Sequence, residues 1–449
     1  MQRAGQAVTA VTSALRKIDV LEPRLRAFLT IDHEGALATA TAQDRAGHQG
    51  SLAGIPIAIK DLTDTAGLCT TYGSSLFAGH VPTEDDLIVA RLRSAGTIIV
   101  GKTMTPEFGF GALCRNPLGG PTANPWDASL TSGGSSGGSA TAVAAGIIPL
   151  AHGTDFGGSV RTPAGFCGVA SIRPTPGVLP NPKRGLGYDM LATSGFIARD
   201  IAMLRRALVA TAGPHADDPL SQTLRPAVRL GHPLRIAATV DFGVAPVSHV
   251  VRMRFQAAMD ALPVSFGNIS LVHPDCADAF HIFNILRPSL IAYAFGPLAA
   301  KHGGALTDTV RWWIDRAQGT SAADFLAAEA SRTAMTRRFL AFFENHDVLL
   351  APAASVMPWP NTIAEVLEID GKRLETIVDY LAVTFIVSLV GCPVVTLPAP
   401  LGDNRLPFGV QLIGRPGSDL TLLAIARRFE RDAGFRFVRP PMWRGGLAG

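Results

Sequence analysis

A chain of 449 residues, 47% hydrophobic and 17% charged, can bury a large core and enclose a deep pocket. Its net charge of +4 comes from 40 basic and 36 acidic residues with no block of five like charges, which argues against a nucleic-acid tail or a polybasic membrane anchor. Five scattered cysteines (Cys69, Cys114, Cys167, Cys276 and Cys392) with no CxxC pair argue against a disulfide framework or a cysteine metal site, and favour a reducing compartment.

In chain order, residues 1–50 are Ala-rich with helical spacing, broken at Glu22-Pro23, and residues 1–19 lack a continuous apolar signal core. A cytoplasmic protein is expected. Residues 54–60, from Gly54 through Ile55, Pro56, Ile57, Ala58 and Ile59 to Lys60, predict a short buried strand ending in a lysine. Leu87 to Ala95 predicts a helix, and Thr97 to Val100 a strand stopped by Gly101. Helix followed closely by strand is an α/β pattern. Residues 116–138 are rich in Gly, Pro, Asn and Ser, hence loop, and an Ala-rich helix over 139–146 follows directly. A second Gly-rich turn spans 154–159.

Farther on, helical patterns alternate with short strands at 234–240 and 348–351, and Pro214 to Pro233 predicts a surface excursion. The apolar stretch 380–397 contains Pro393 and predicts a buried helix followed by a strand, not a membrane span. A strand is expected at 408–412 and a closing helix at 419–432. No internal repeat and no compositional boundary divides the chain.

Two turns carry the strongest signal. One is Gly133-Gly134-Ser135-Ser136-Gly137-Gly138-Ser139, and the other is Gly153-Thr154-Asp155-Phe156-Gly157-Gly158-Ser159-Val160-Arg161. A linker would be repetitive and flanked by polar residues, whereas a helix separates these dissimilar turns. A phosphate loop would continue into Gly-Lys-Ser/Thr, and this one does not. With Lys60 upstream, both segments resemble the amidase signature family in residue type and spacing: Ser135 lies 75 residues after Lys60, and Ser159 lies 24 after Ser135. Further blocks share the likeness: Gly54-Ile55-Pro56, Gly101-Lys102-Thr103, Asn124-Pro125-Trp126-Asp127, Pro163 to Cys167, and Gln411-Leu412-Ile413-Gly414. The resemblance is weakest from Pro214 to Asn345.

The resemblance implies one amidase domain over 1–449, a single large α/β domain with a mixed, mostly parallel central sheet covered by helices on both faces. Within it, a catalytic core would span about 50–200, a variable substrate-pocket region about 200–380, and a C-terminal family block about 380–435. It also implies a catalytic trio of Lys60, Ser135 and Ser159, with a cis peptide bond at Ser135. Lys60 would take a proton through Ser135 from Ser159, which attacks the amide carbonyl and forms an acyl-enzyme that water releases.

The chemistry supports those residue types. A serine hydroxyl needs a base, and lysine serves only when neutral, far below its usual pKa of ~10.4; burial at the end of an apolar strand favours that state. Backbone N–H groups of Phe156, Gly157 and Gly158 are expected as the oxyanion hole. Ser136 and Thr154 are candidate supports for Lys60 or Ser135, or ordinary turn residues. Asp155 and Arg161 are expected to clamp the nucleophile turn. Phe156, Phe108, Phe110, Cys114 and Trp359 either build an apolar acyl pocket or simply fill the core. His152 and Cys167 are expected to be core residues. No cofactor or metal is called for.

The activity implied is hydrolysis of a small-molecule carboxamide, with no nucleic-acid or membrane partner and a homodimer left open. An alternative is the amidotransferase component that feeds ammonia to aminoacyl-tRNA, but its Gly-Ser-Ser run is replaced here by Phe110 to Asn116. A urea-type amide such as biuret or allophanate is a further substrate class, and a scaffold with a dead site is disfavoured because all three catalytic residues are present. Departures from the family pattern at 170–175 and 195–199 spare those three positions.

Overall fold

Alternating apolar side chains need cover on both sides of a strand, and the run ending at Lys60 has it. In the computed structural model, which describes residues 5–47 and 49–442, every residue of Pro56–Lys60 is buried. Ile57 and Ile59 enter one hydrophobic core, while Ala58 enters a second on the opposite face.

The first half of the chain contains α1 (Gln6–Leu25), β1 (Phe28–Ile31), α2 (His33–Ala46), β2 (Pro56–Lys60), α3 (Leu87–Ser94), β3 (Ile98–Thr103) and α4 (Gly137–Ala144). It continues through β4 (Leu150–Asp155), α5 (Arg161–Cys167), β5 (Ala170–Arg173), β6 (Thr193–Ala198) and α6 (Ile201–Thr211). The second half contains β7 (Ile236–Ala238), α7 (His249–Asp260), β8 (Ile269–Ser270), α8 (Ala279–His302), α9 (Asp308–Asp315), α10 (Ala322–Asn345) and β9 (Val348–Pro352). A small hairpin, β10 (Glu368–Ile369) and β11 (Lys372–Arg373), precedes α11 (Ala382–Leu389), β12 (Val394–Pro398), β13 (Gly409–Ile413) and α12 (Asp419–Asp432).

Eleven strands form one mixed sheet in the order β1-β3-β2-β4-β6-β5-β12-β13-β9-β7-β8. The expectation of a mostly parallel sheet is corrected: six neighbouring pairs are antiparallel, and four are parallel. The physical reason lies in the connections. Between β5 and β6, and between β12 and β13, the chain returns without a helix, and antiparallel neighbours require none. The expectation drawn from the family resemblance therefore overstated the parallel share.

Two local expectations also change. Gly101 does not stop its strand; it continues β3 beside β1, where a Cβ would stand 2.2 Å from the Thr30 carbonyl oxygen. Pro23 does not break α1, but lies in its last turn. The helix ends at Arg26 (φ 50°), where the Glu22 carboxylate accepts the N–H groups of Ala27 and Phe28 at 3.1 and 2.9 Å.

Helices flank both faces. One helical stretch among the described residues, Ala279–Ala305, is long and apolar enough to cross a membrane. In the fold, α8 packs against α9, α10 and α11, and its inner side faces the end of β4.

Candidate active site

Three segments converge at the ends of adjacent strands. β2 delivers Lys60, the loop before α4 delivers Ser135, and the turn between β4 and α5 delivers Ser159. Lys60 is fully buried, and its Nζ donates to Ser135 Oγ at 2.7 Å and to Thr154 Oγ1 at 2.9 Å. Burial pushes the ammonium down to about 7, partly opposed by the nearby negative field of Asp155. The Gly134–Ser135 peptide bond is cis. The Ser136 N–H holds the Ser159 carbonyl at 3.1 Å, so the two serine turns are tied main chain to main chain.

Ser135 and Ser159 both line a cavity of about 300 Å³, within the size range of small-molecule sites. Among the described residues, no direct hydrogen bond joins their side chains. Of the expected relay, the Lys60–Ser135 link is a formed contact, and the Ser135–Ser159 link is a shared cavity wall.

Asp155 organises the turn that carries Ser159. Its carboxylate accepts the Gly158 and Val160 N–H groups at 3.0 Å each and is gripped by Arg161 at 2.7 and 3.1 Å, with Arg173 Nε at 3.3 Å. Despite complete burial, these cations hold Asp155 far below the usual carboxylate range. Arg161 extends the clamp outward, donating to the Thr384 carbonyl at 2.6 Å, Ser388 Oγ at 2.7 Å and Gln411 Oε1 at 2.9 Å. Thr384 Oγ1 in turn donates to the Gly157 carbonyl at 2.6 Å. At Gly158, φ is +124° and a Cβ would meet Thr384 Oγ1 at 2.5 Å, so glycine is required on both counts.

These contacts correct one expectation. Gly158 is not free to serve an oxyanion, because Asp155 consumes its N–H. The N–H groups of Phe156, Gly157 and Ser159 have no acceptor among the described residues, so the available donor set shifts by one position. Ser136 also departs from its expected place. Its hydroxyl donates to the Thr154 carbonyl at 3.3 Å, not to Lys60 or Ser135, whereas Thr154 does contact Lys60.

The aromatic candidates divide. Phe108, Phe110 and Phe156 line the cavity, joined by Leu290, Ile291 and Phe295 from α8. Trp359 does not; it packs with Phe166 and Tyr380 in a separate cluster, and its Nε1 donates to the Ile363 carbonyl at 3.0 Å. Cys114 lies behind Ser135, its Sγ directed at the Met104 carbonyl at 3.3 Å. His152 is a core residue of β4, packed on Phe196 and pushed down to about 3 by burial, while Cys167 is buried next to Thr141.

Sequence reasoning missed Arg287. This α8 residue is 6% exposed and lies against Phe156 and Trp313, its guanidinium carbon 4.9 and 4.2 Å from their ring centroids. It borders the Ser159 cavity together with a smaller adjoining space of about 20 Å³. A signal was present: α8 contains no acidic residue, so its single arginine has no partner on its own helix.

Residues 9–423 match the Amidase family. The chain belongs to the amidase signature family. As a member of it, the chain is an amidohydrolase acting on carbon–nitrogen bonds other than peptide bonds. It is 34% identical to the A component of the glutamyl-tRNA(Gln) amidotransferase of Azoarcus sp. (strain BH72), covering 98% of this chain and 97% of the relative. Among solved structures, it is similar to a bacterial aryl acylamidase of the amidase signature family, with a TM-score of 0.85 and 25% identity over 95% of this chain and 93% of that one. It is also similar to a chain of a vestigial protein complex that reveals the evolutionary origins of an s-triazine catabolic enzyme, with a TM-score of 0.82 and 30% identity over 96% of each chain.

Proposed function

We propose that this amidase hydrolyses the carboxamide of a small molecule through an acyl-enzyme on Ser159. The observation that carries the reading is the 2.7 Å contact between a fully buried Lys60, lowered to about 7, and Ser135 at the wall of the Ser159 cavity. With the amine neutral, its lone pair accepts the Ser135 proton while an N–H remains on Thr154. Ser135 then takes the Ser159 proton as Ser159 Oγ bonds the amide carbon. For that transfer the Ser159 hydroxyl has to meet Ser135 across the cavity they share. The tetrahedral oxyanion is received by the N–H groups of Phe156, Gly157 and Ser159, one such donor being worth ~3 kcal/mol. Collapse breaks the C–N bond, and the proton held by Lys60 returns through Ser135 to the leaving nitrogen. Water, deprotonated along the same route, then releases the carboxylate.

The curated relatives favour a second reading, in which the chain produces ammonia for a partner enzyme with which it assembles. A fluorophosphonate probe combined with an ammonia assay tests both. Labelling of Ser159 together with ammonia release by the isolated chain from aryl, aliphatic or urea-type amides supports the stand-alone hydrolase. Ammonia release only with a copurified partner protein supports the second reading, and absence of label on Ser159 defeats the nucleophile assignment.

A further inference from the structure

A guanidinium carries five N–H donors in its plane and a cation on its two faces. At Arg287 the charge lies among rings: its central carbon is 4.2, 4.9 and 5.4 Å from the Trp313, Phe156 and Phe283 centroids. Its N–H donors are left unanswered. Nε is buried without an acceptor, and neither terminal nitrogen has an acceptor or an ion-pair partner among the described residues. The other large buried cations contrast with it: Arg161 is spent on Asp155, Thr384, Ser388 and Gln411, Arg173 on Asp155 and main-chain carbonyls, and Lys102 on Asp61, Thr63 and Thr70.

The acids around the site are otherwise engaged. Glu365, the acid whose field acts on Arg287, accepts the Tyr380 hydroxyl at 3.0 Å, and burial raises it to about 7. Asp189 lines the same cavity but accepts the Leu191 N–H at 2.9 Å and sits in the field of Arg184, Arg332 and Arg173. A buried charge without a counter-charge is costly, and its removal from water is normally offset by a partner. Arg287 remains charged at neutral pH, since burial lowers it only to about 10.

We propose that the unpaired edge of Arg287, facing the cavity that holds Ser159, binds a carboxylate on the substrate, so that the enzyme's substrates are amides of small molecules that also carry a carboxylate. The fork of N–H donors matches a carboxylate in bidentate geometry, whereas the surrounding apolar walls from Leu290, Ile291 and Phe295 suit the intervening carbon chain. The aromatic rings leave the cation its charge and confine it at the wall of the cavity that Ser159 also lines. This inference rests on the amidohydrolase reading.

The test compares linear half-amides, from malonamate to adipamate, with the corresponding neutral diamides, using initial ammonia release by wild type, Arg287→Gln and Arg287→Lys. Wild type is expected to prefer at least one half-amide on the order of 10- to 100-fold in kcat/KM, chiefly through KM, as for a hydrogen-bonded charge. In Arg287→Gln the ratio of half-amide to diamide falls to near one. In Arg287→Lys, which keeps the charge but not the fork, the ratio is intermediate, and it carries the test should the glutamine variant not fold. Wild type that does not distinguish carboxylate from carboxamide, or a glutamine variant that keeps the preference, overturns the inference. So does labelling of Ser159 by fluorophosphonate when no half-amide is cleaved and none slows the labelling. Failure of the label itself strikes the amidohydrolase reading instead.

Discussion

The Ser159 turn and the α8 cover meet at one cavity, yet they are built on opposite principles. Around Ser159 every charge is answered: Asp155 receives two main-chain donors and two arginines, and Arg161 reaches three further acceptors. On α8 the one charge facing the cavity is unanswered, and the rest is hydrocarbon. Saturated polar networks hold atoms still, which the reacting groups require. An unsaturated cation among apolar walls invites an outside partner. On the proposed reading, chemistry and selection are divided between two segments far apart in the chain.

The largest way to break that division is at the reacting atoms. Ser159→Ala and Lys60→Ala should each reduce turnover by roughly a million-fold, the scale of nucleophile or base removal in a serine hydrolase, with melting cooperative in both. Ser135→Ala should be severe but leakier, because water can occupy the relay position. Wild-type rates in Lys60→Ala would defeat the relay. Next is the saturated clamp. Asp155→Asn leaves Arg161 and Arg173 without their anion, so a loss of about 3–5 kcal/mol in denaturant unfolding is expected, together with loss of turnover. A stability unchanged within error would mean that the network is redundant.

The pH dependence sharpens the comparison from the side of Lys60. Its folded-state pKa is lowered to about 7, and only the neutral amine is a base, so kcat/KM should fall about tenfold per unit below that pH and level off above it. A profile flat from mildly acidic to alkaline pH contradicts this. Thr384→Val removes the donor to the Gly157 carbonyl and should cost about 1 kcal/mol of stability with a modest fall in kcat. The smallest effect belongs to Trp359→Phe. That ring lies outside the cavity, so turnover should remain close to wild type, and a large fall would return Trp359 to the substrate wall.

The same division explains what could be read in advance. Lys60, Ser135, Thr154, Asp155 and Ser159 were legible because glycine-rich turns and buried strand ends leave short, local signatures. Burial of a lysine after Pro56-Ile57-Ala58-Ile59 followed from composition alone. Which N–H groups are free was not legible: the shift of the donor set from Gly158 to Ser159 depends on where the Asp155 oxygens point. Sheet polarity was misread because the resemblance, carried by short motifs, says little about how β5, β6, β12 and β13 pair. Arg287 escaped because its meaning depends on what is absent around it in three dimensions, and an isolated basic residue in an apolar helix carries no motif.

Arg161, two positions beyond Ser159, is anchored to Gln411, 250 residues later in the chain. On a ribosome, the segment holding Ser159 emerges long before that anchor exists. The proposed acylating serine is therefore expected to stay inert on the nascent polypeptide and to become competent only when nearly all of the protein has been synthesised. Two separately expressed fragments divided within 214–233 should be inactive apart and regain amide cleavage when mixed.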